Sequence, residues 1–171
     1  IIIVAMIIGT FIPNIPLGRG FAINIGGGIV PIIISIYLIA TSHNFEKARA
    51  FLASGVTGGA VYTAGRLLPA DPGTMMIEPI IVYAIIAGVI SYVIGRSRRC
   101  AFISAILGVT ISDLLYAFLA PTRPANTVIG GAGVLDTQLL AAVIAVGLCE
   151  IAGEALEKLS GGSMAKKHKK A

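Results

Sequence analysis

The chain has 171 residues, 56% of them hydrophobic and only 12% charged, with a net charge of +5 and a mean hydropathy of +0.92. A soluble domain carries roughly 25% charged residues, so this composition excludes a wholly water-facing surface and points to lipid. Much of the positive balance comes from Lys166, Lys167, Lys169 and Lys170. A short basic tail beside apolar segments sets topology or meets anionic lipid, and without a nucleic-acid-binding signature nucleic acid is not expected as a partner.

A helical span needs about 20 mostly apolar residues, and six segments meet or approach that length. The expected fold is an all-α integral membrane protein with about six transmembrane helices. The first segment, residues 1–13, is short; the chain starts without Met inside an apolar stretch, so residues upstream are expected. The second, 21–41, opens on Asn24-Ile25-Gly26-Gly27-Gly28-Ile29-Val30-Pro31. The third, 48–68, is diluted by Ser, Thr and Gly and reads either as a span or as an interfacial helix. Within it, Gly55 and Gly59 have the small-xxx-small spacing that brings two helices together.

The fourth segment, 76–95, begins near Glu78-Pro79. An acid at the N-terminal dipole and Pro in the first turn mark a helix start, although Glu78 also reads as a site residue. The fifth, 100–120, contains Asp113. The sixth, 128–148, opens on Val128-Ile129-Gly130-Gly131-Ala132-Gly133-Val134 and contains Asp136. Connectors are short and turn-like, which leaves residues 1–159 as one polytopic domain and 160–171 as a basic tail.

Basic residues divide unequally between the two sides. One side takes Lys47, Arg49, Arg96, Arg98, Arg99, Lys158 and the four tail lysines; the other takes Arg19, Arg66 and Arg123. The richer side is expected to be cytoplasmic, which puts both ends of this chain inside in a multi-pass cell-membrane protein. Cys100 and Cys149 fall near the inner ends of spans and read as packing residues, with no metal motif and no cofactor implied.

Glycine costs about 1 kcal/mol against alanine in a helix, and proline about 3. The glycine runs that open the second and sixth segments therefore read as broken helices beside a polar path or, equally, as close helix packing. The two runs resemble one another, and both enter from the outer side.

Asp113 and Asp136 are the main functional signal. A carboxylate in hydrocarbon costs at least about 2.5 kcal/mol, so such residues face a cavity, a partner or a substrate. Antiparallel neighbouring spans place the pair at similar outer depth. If the two acids approach each other, one is expected to hold a proton, as both a proton carrier and an aspartic hydrolase require.

The stretches Asn24-Ile25-Gly26-Gly27 with Pro31, Glu78-Pro79, Gly95-Arg96, Ser112-Asp113 and Gly130-Gly131-Ala132-Gly133-Val134-Leu135-Asp136 resemble a family of bacterial and archaeal polytopic proteins described only as a domain of unknown function. That resemblance implies a membrane location and no established activity. The aspartate pair is also similar to that of presenilin-type intramembrane aspartic proteases, which implies Asp113 and Asp136 as catalytic residues. Those enzymes carry Gly-x-Gly-Asp; here two more residues precede the acid, which rotates it by about 200° on a helix. The Pro-Ala-Leu motif is missing too.

The resulting expectation is a small membrane protein that moves an ion, proton or small solute in a channel-like or coupled manner. Asp113 and Asp136 would bind the cargo, joined by Asn24, Glu78, Tyr116, Gly26, Gly27 and Gly131. Six spans suggest a homo-oligomer or a larger membrane complex. The rivals are an intramembrane aspartic protease, the lesser reading, and a noncatalytic scaffold or accessory subunit whose aspartates fasten helices.

Overall fold

A computed structural model describes residues 2–18, 21–68, 78–119 and 127–159. The expected turns at 69–73 and 121–124, Arg19, Arg123 and the basic tail lie outside the described residues. Six α-helices are present among those described: α1 (Ile2–Thr10), α2 (Val30–Ala40), α3 (Asn44–Leu67), α4 (Pro79–Gly95), α5 (Arg98–Leu119) and α6 (Thr137–Leu159). Two of them, α5 and α6, are each long and apolar enough to cross a membrane. α3 has the length, about 36 Å at 1.5 Å per residue, but its Ser, Thr and Gly dilute its hydropathy. α1 spans nine residues, far short of a bilayer.

Helices α3 to α6 pack through small side chains. Ala53, Ala87, Ala101, Ala105, Ala141 and Ala145 are fully buried, and Gly58 on α3 meets Gly108 and Ile111 on α5. Thr57 and Ser91 share a buried hydrogen bond of 3.2 Å that ties α3 to α4. Gly88 lets α4 close onto Ala141 and Ile144 of α6. Small residues allow backbones to approach where lipid offers no hydrophobic contrast. Outward faces carry exposed Ile33, Ile36, Phe51, Leu52, Ile85, Val89 and Val143, the apolar surface that a bilayer covers. Gly55 and Gly59 have open space where a Cβ would stand. Within this chain the contact with α5 is made by Thr57 and Gly58 rather than by that pair.

At one end α4 turns directly into α5. Arg96 adopts the left-handed conformation (φ 54°) as the α4 cap, and Gly95 makes room for Ala101. Ser97 Oγ accepts the Cys100 N–H at 3.2 Å and so caps α5. Arg98 pairs with Glu150 of α6 at 2.7 Å, with both side chains largely exposed. Ser97 also reaches Glu46 near the start of α3 at 3.5 Å. Lys47, Arg49, Arg96, Arg98, Arg99 and Lys158 thus gather at this end, as their positions in the sequence require.

The opposite end is built differently. A three-stranded sheet, ordered β1 (Ile15–Gly18), β2 (Phe21–Ile23), β3 (Thr127–Ile129), lies there, with β1–β2 antiparallel and β2–β3 parallel. β2 leads into a π-helical turn at Ile25–Ile29 that continues as α2. β3 leads through a glycine turn and a 3-10 turn at Gly133–Leu135 to α6. The sixth segment therefore does not become helical at residue 128 as expected. Helix starts at Thr137, and Asp136 precedes it in extended conformation (φ −68°, ψ 151°).

The two glycine runs meet each other. A Cβ at Gly27 would strike Gly130 and Gly133, one at Gly130 would strike Gly27 and Gly28, and one at Gly26 would enter α1 at Met6 and Thr10. Gly130 and Gly133 also hold positive φ, at 71° and 61°, which side chains disfavour. Both helix entries are broken, and the breaks are packed backbone to backbone.

Candidate functional site

Asp113 projects from the last two turns of α5, and Asp136 stands immediately before α6. The two carboxyl groups lie within electrostatic reach of each other. Asp136 is held by its own chain: Oδ1 accepts the Gln138 N–H at 3.1 Å and Oδ2 accepts the Ala132 N–H at 3.3 Å. It thus caps α6, satisfying N–H groups that the first turn of a helix leaves unpaired. Asp113 caps no helix; it lines a cavity, with the Gln138 side chain beside its carboxyl.

That cavity has a volume of about 250 Å³, room for several waters at about 30 Å³ each. Asp113, Ser112, Tyr116 and Val109 of α5 form one wall, and Thr137 of α6, Tyr83 of α4 and Val61 of α3 complete the lining. The lining is mostly apolar, and the polar side-chain atoms of its residues are all oxygens. Tyr116 donates its hydroxyl to the Tyr62 carbonyl at 3.1 Å, and the two rings meet edge to face at 4.9 Å. Gly65 leaves the space that the Tyr116 hydroxyl occupies. Arg66 lies against the Tyr62 ring and donates to its hydroxyl at 3.1 Å. A chain of contacts thus runs from the cavity wall to the end of α3.

Gln138 belongs to the same neighbourhood. Its side chain is fully buried and its amide lies beside Asp113, yet neither Oε1 nor Nε2 completes a hydrogen bond of good geometry. A buried polar group left in that state costs about 1–3 kcal/mol. Gln138 was not among the residues expected to form the site, although its signal was present. It heads the stripe Gln138, Ala141, Ala142, Ala145, whose helical spacing places all four on the buried face of α6.

The other expected site residues are placed elsewhere. Asn24 is buried at the start of the π-helical turn, where Oδ1 accepts the Gly27 N–H at 3.0 Å and Nδ2 donates to Asn14 Oδ1 at 2.9 Å. It clips the β1 segment to the turn. Gly26 and Gly27 are covered by backbone, as described above, and Gly131 lies in the exposed turn after β3 with Val128 beside it. Glu78 is exposed before Pro79 and makes no side-chain cap. None of these lines the Asp113 cavity; of the expected companions, Tyr116 does.

A larger cavity of about 470 Å³ opens near the basic end, between Tyr92, Val93 and Arg96 of α4 and its cap and Cys149, Ala152, Gly153 and Leu156 of α6. No carboxylate lines it. Among the described residues no group of three or more His, Cys, Asp or Glu gathers as a metal centre would require.

A family model described as YphA-like integral membrane protein matches residues 1–171. No curated protein and no solved structure matches the chain.

Proposed function

This chain belongs to the YphA-like integral membrane protein family, and from that premise we propose that it binds a small cation or proton within the membrane and passes it across. The observation that carries this reading is Asp113, free of helix-capping duties, lining a largely apolar, partly open cavity between α3, α4, α5 and α6 whose polar side-chain atoms are oxygens. A carboxylate is retained at membrane depth where it serves a cavity or a partner, and oxygens alone suit hard cations and protons. Asp136 supplies a second negative charge nearby while fixing the start of α6. In this reading the basic end faces the cytoplasm by the positive-inside rule, which puts the cavity nearer the outer face, and copies of the chain assemble to complete a path.

Proteoliposomes containing the purified chain test the proposal. A cation or proton flux is expected under an imposed gradient, and Asp113→Asn should abolish it while leaving the fold intact. Flux unchanged in Asp113→Asn would overturn the proposal. The capping bonds of Asp136 also favour a second, structural reading, in which the aspartates only fasten α5 and α6. There Asp136→Ala would lower stability by removing the α6 cap, with no flux to lose in that variant or in Asp113→Asn.

A further inference from the structure

We propose that the cavity of about 470 Å³ at the basic end holds one anionic phospholipid, drawn from the leaflet that this end meets. The proposal is independent of the Asp113 cavity and of the transport reading. The cavity lies where α4 closes on Arg96, beside Arg98 and Arg99 at the start of α5. Basic pockets between helices at such an end of a membrane protein receive lipid headgroups. Its volume falls within the roughly 300–1,000 Å³ of small-molecule sites.

Arg96 supplies the charge. It lines the cavity, is exposed and makes no ion pair among the described residues. Arg98, by contrast, is taken up by Glu150. No carboxylate lines the cavity, so a phosphate entering it meets an unmatched guanidinium, whose planar fork suits phosphate oxygens. The backbone gives a second observation. Arg96 is the only non-glycine residue with positive φ among those described, at a helix end where glycine is the usual choice. An arginine held there against its backbone preference is accounted for by a task for its side chain. The apolar part of the lipid has its own seat. Val93 and Leu156 form apolar wall, and Ile85, Val89 and Val93 are all exposed on α4. Their spacing of four residues puts them on one helix face, a track leading from the cavity along α4 into the bilayer. A soluble anion would use Arg96 alone; the track selects a lipid.

The test is thermal unfolding of the full chain in dodecyl maltoside micelles doped with phosphatidylglycerol or phosphatidylcholine, at equal mole fraction and fixed ionic strength. Native mass spectrometry of the same samples counts bound lipid. Phosphatidylglycerol should raise Tm above its value in phosphatidylcholine and stay bound as one molecule. Arg96→Gly relieves the backbone, so its Tm in phosphatidylcholine should equal or exceed that of the unsubstituted chain. It should nevertheless bind phosphatidylglycerol about tenfold more weakly, as loss of a charge-assisted hydrogen-bond donor does. Gly153→Leu keeps every charge and has open space for its Cβ; its side chain should fill the cavity and abolish lipid retention. If Gly153→Leu does not fold, Arg96→Gly decides. Equal Tm in the two lipids overturns the proposal. So does unaltered phosphatidylglycerol binding in either variant, which would leave only diffuse attraction to the basic end. Inorganic phosphate that reproduces the rise in Tm would also overturn it, since the apolar track would then have no part.

Discussion

The two ends of the helix bundle treat polar groups in opposite ways. At the basic end charges stay at the surface: Arg98 and Glu150 pair while largely exposed, and Ser97 and Arg96 close the α4–α5 turn with local caps. At the glycine-rich end polar groups are drawn inward. Asn24 is buried under a turn, Gln138 is fully buried beside Asp113, and Asp113 lines a cavity. Surface charges cost little to keep and contribute little, whereas withdrawn ones must be matched by geometry. The proposed function sits at the end where polarity is expensive.

Substitutions can break this contrast or sharpen it. The largest effect is expected at the seam between the glycine runs. Gly130→Ala forces a side chain into the Gly27–Gly28 backbone at positive φ and should cost at least about 2 kcal/mol, read as a lower Tm in detergent or loss of folded protein. Asp136→Ala removes the α6 cap and should cost about 1 kcal/mol, with Asp136→Asn recovering most of it because Asn caps as well. Thr57→Val, which breaks the buried bond to Ser91 and leaves one hydroxyl unpaired, should cost about 1–2 kcal/mol; paired with Ser91→Ala the loss should shrink, as a double-mutant cycle would show.

At the basic end Arg98→Gln should change stability by no more than about 0.5 kcal/mol, since the ion pair is solvent-screened. If it costs as much as Gly130→Ala, the contrast between the ends fails. Gly59→Ala should be neutral or stabilising by up to about 1 kcal/mol, because nothing occupies the space beside it. A strong loss there would instead mean that this face is covered by another copy in the membrane.

Much of the fold was legible because its signals are local. Runs of apolar residues marked the helices, Glu78-Pro79 marked the start of α4, and the arginine clusters marked a shared end. The glycine runs announced breaks, but not that the two breaks would pack on each other, since that contact joins distant parts of the chain. For the same reason the strands escaped notice: three-residue β2 and β3 carry no periodicity long enough to read. Helical spacing alone could not choose a packing face in α3 either, because Gly55, Gly58 and Gly59 are all small, and only the neighbouring α5 decides among them. Asp113 and Asp136 stood out by charge. Gln138 carried a weaker signal, its place at the head of the small-residue stripe Ala141, Ala142 and Ala145, and charge does not mark it.

The parallel pairing of β2 with β3 bears on how the protein is made. Phe21 aligns with Thr127, a separation of more than one hundred residues, and the Asn24 N–H donates to the Ile129 carbonyl at 2.9 Å. A nascent chain leaving the ribosome therefore holds its early hairpin unfinished until α1 to α5 have been synthesised. Premature termination anywhere before β3 would leave that hairpin with an unpaired edge.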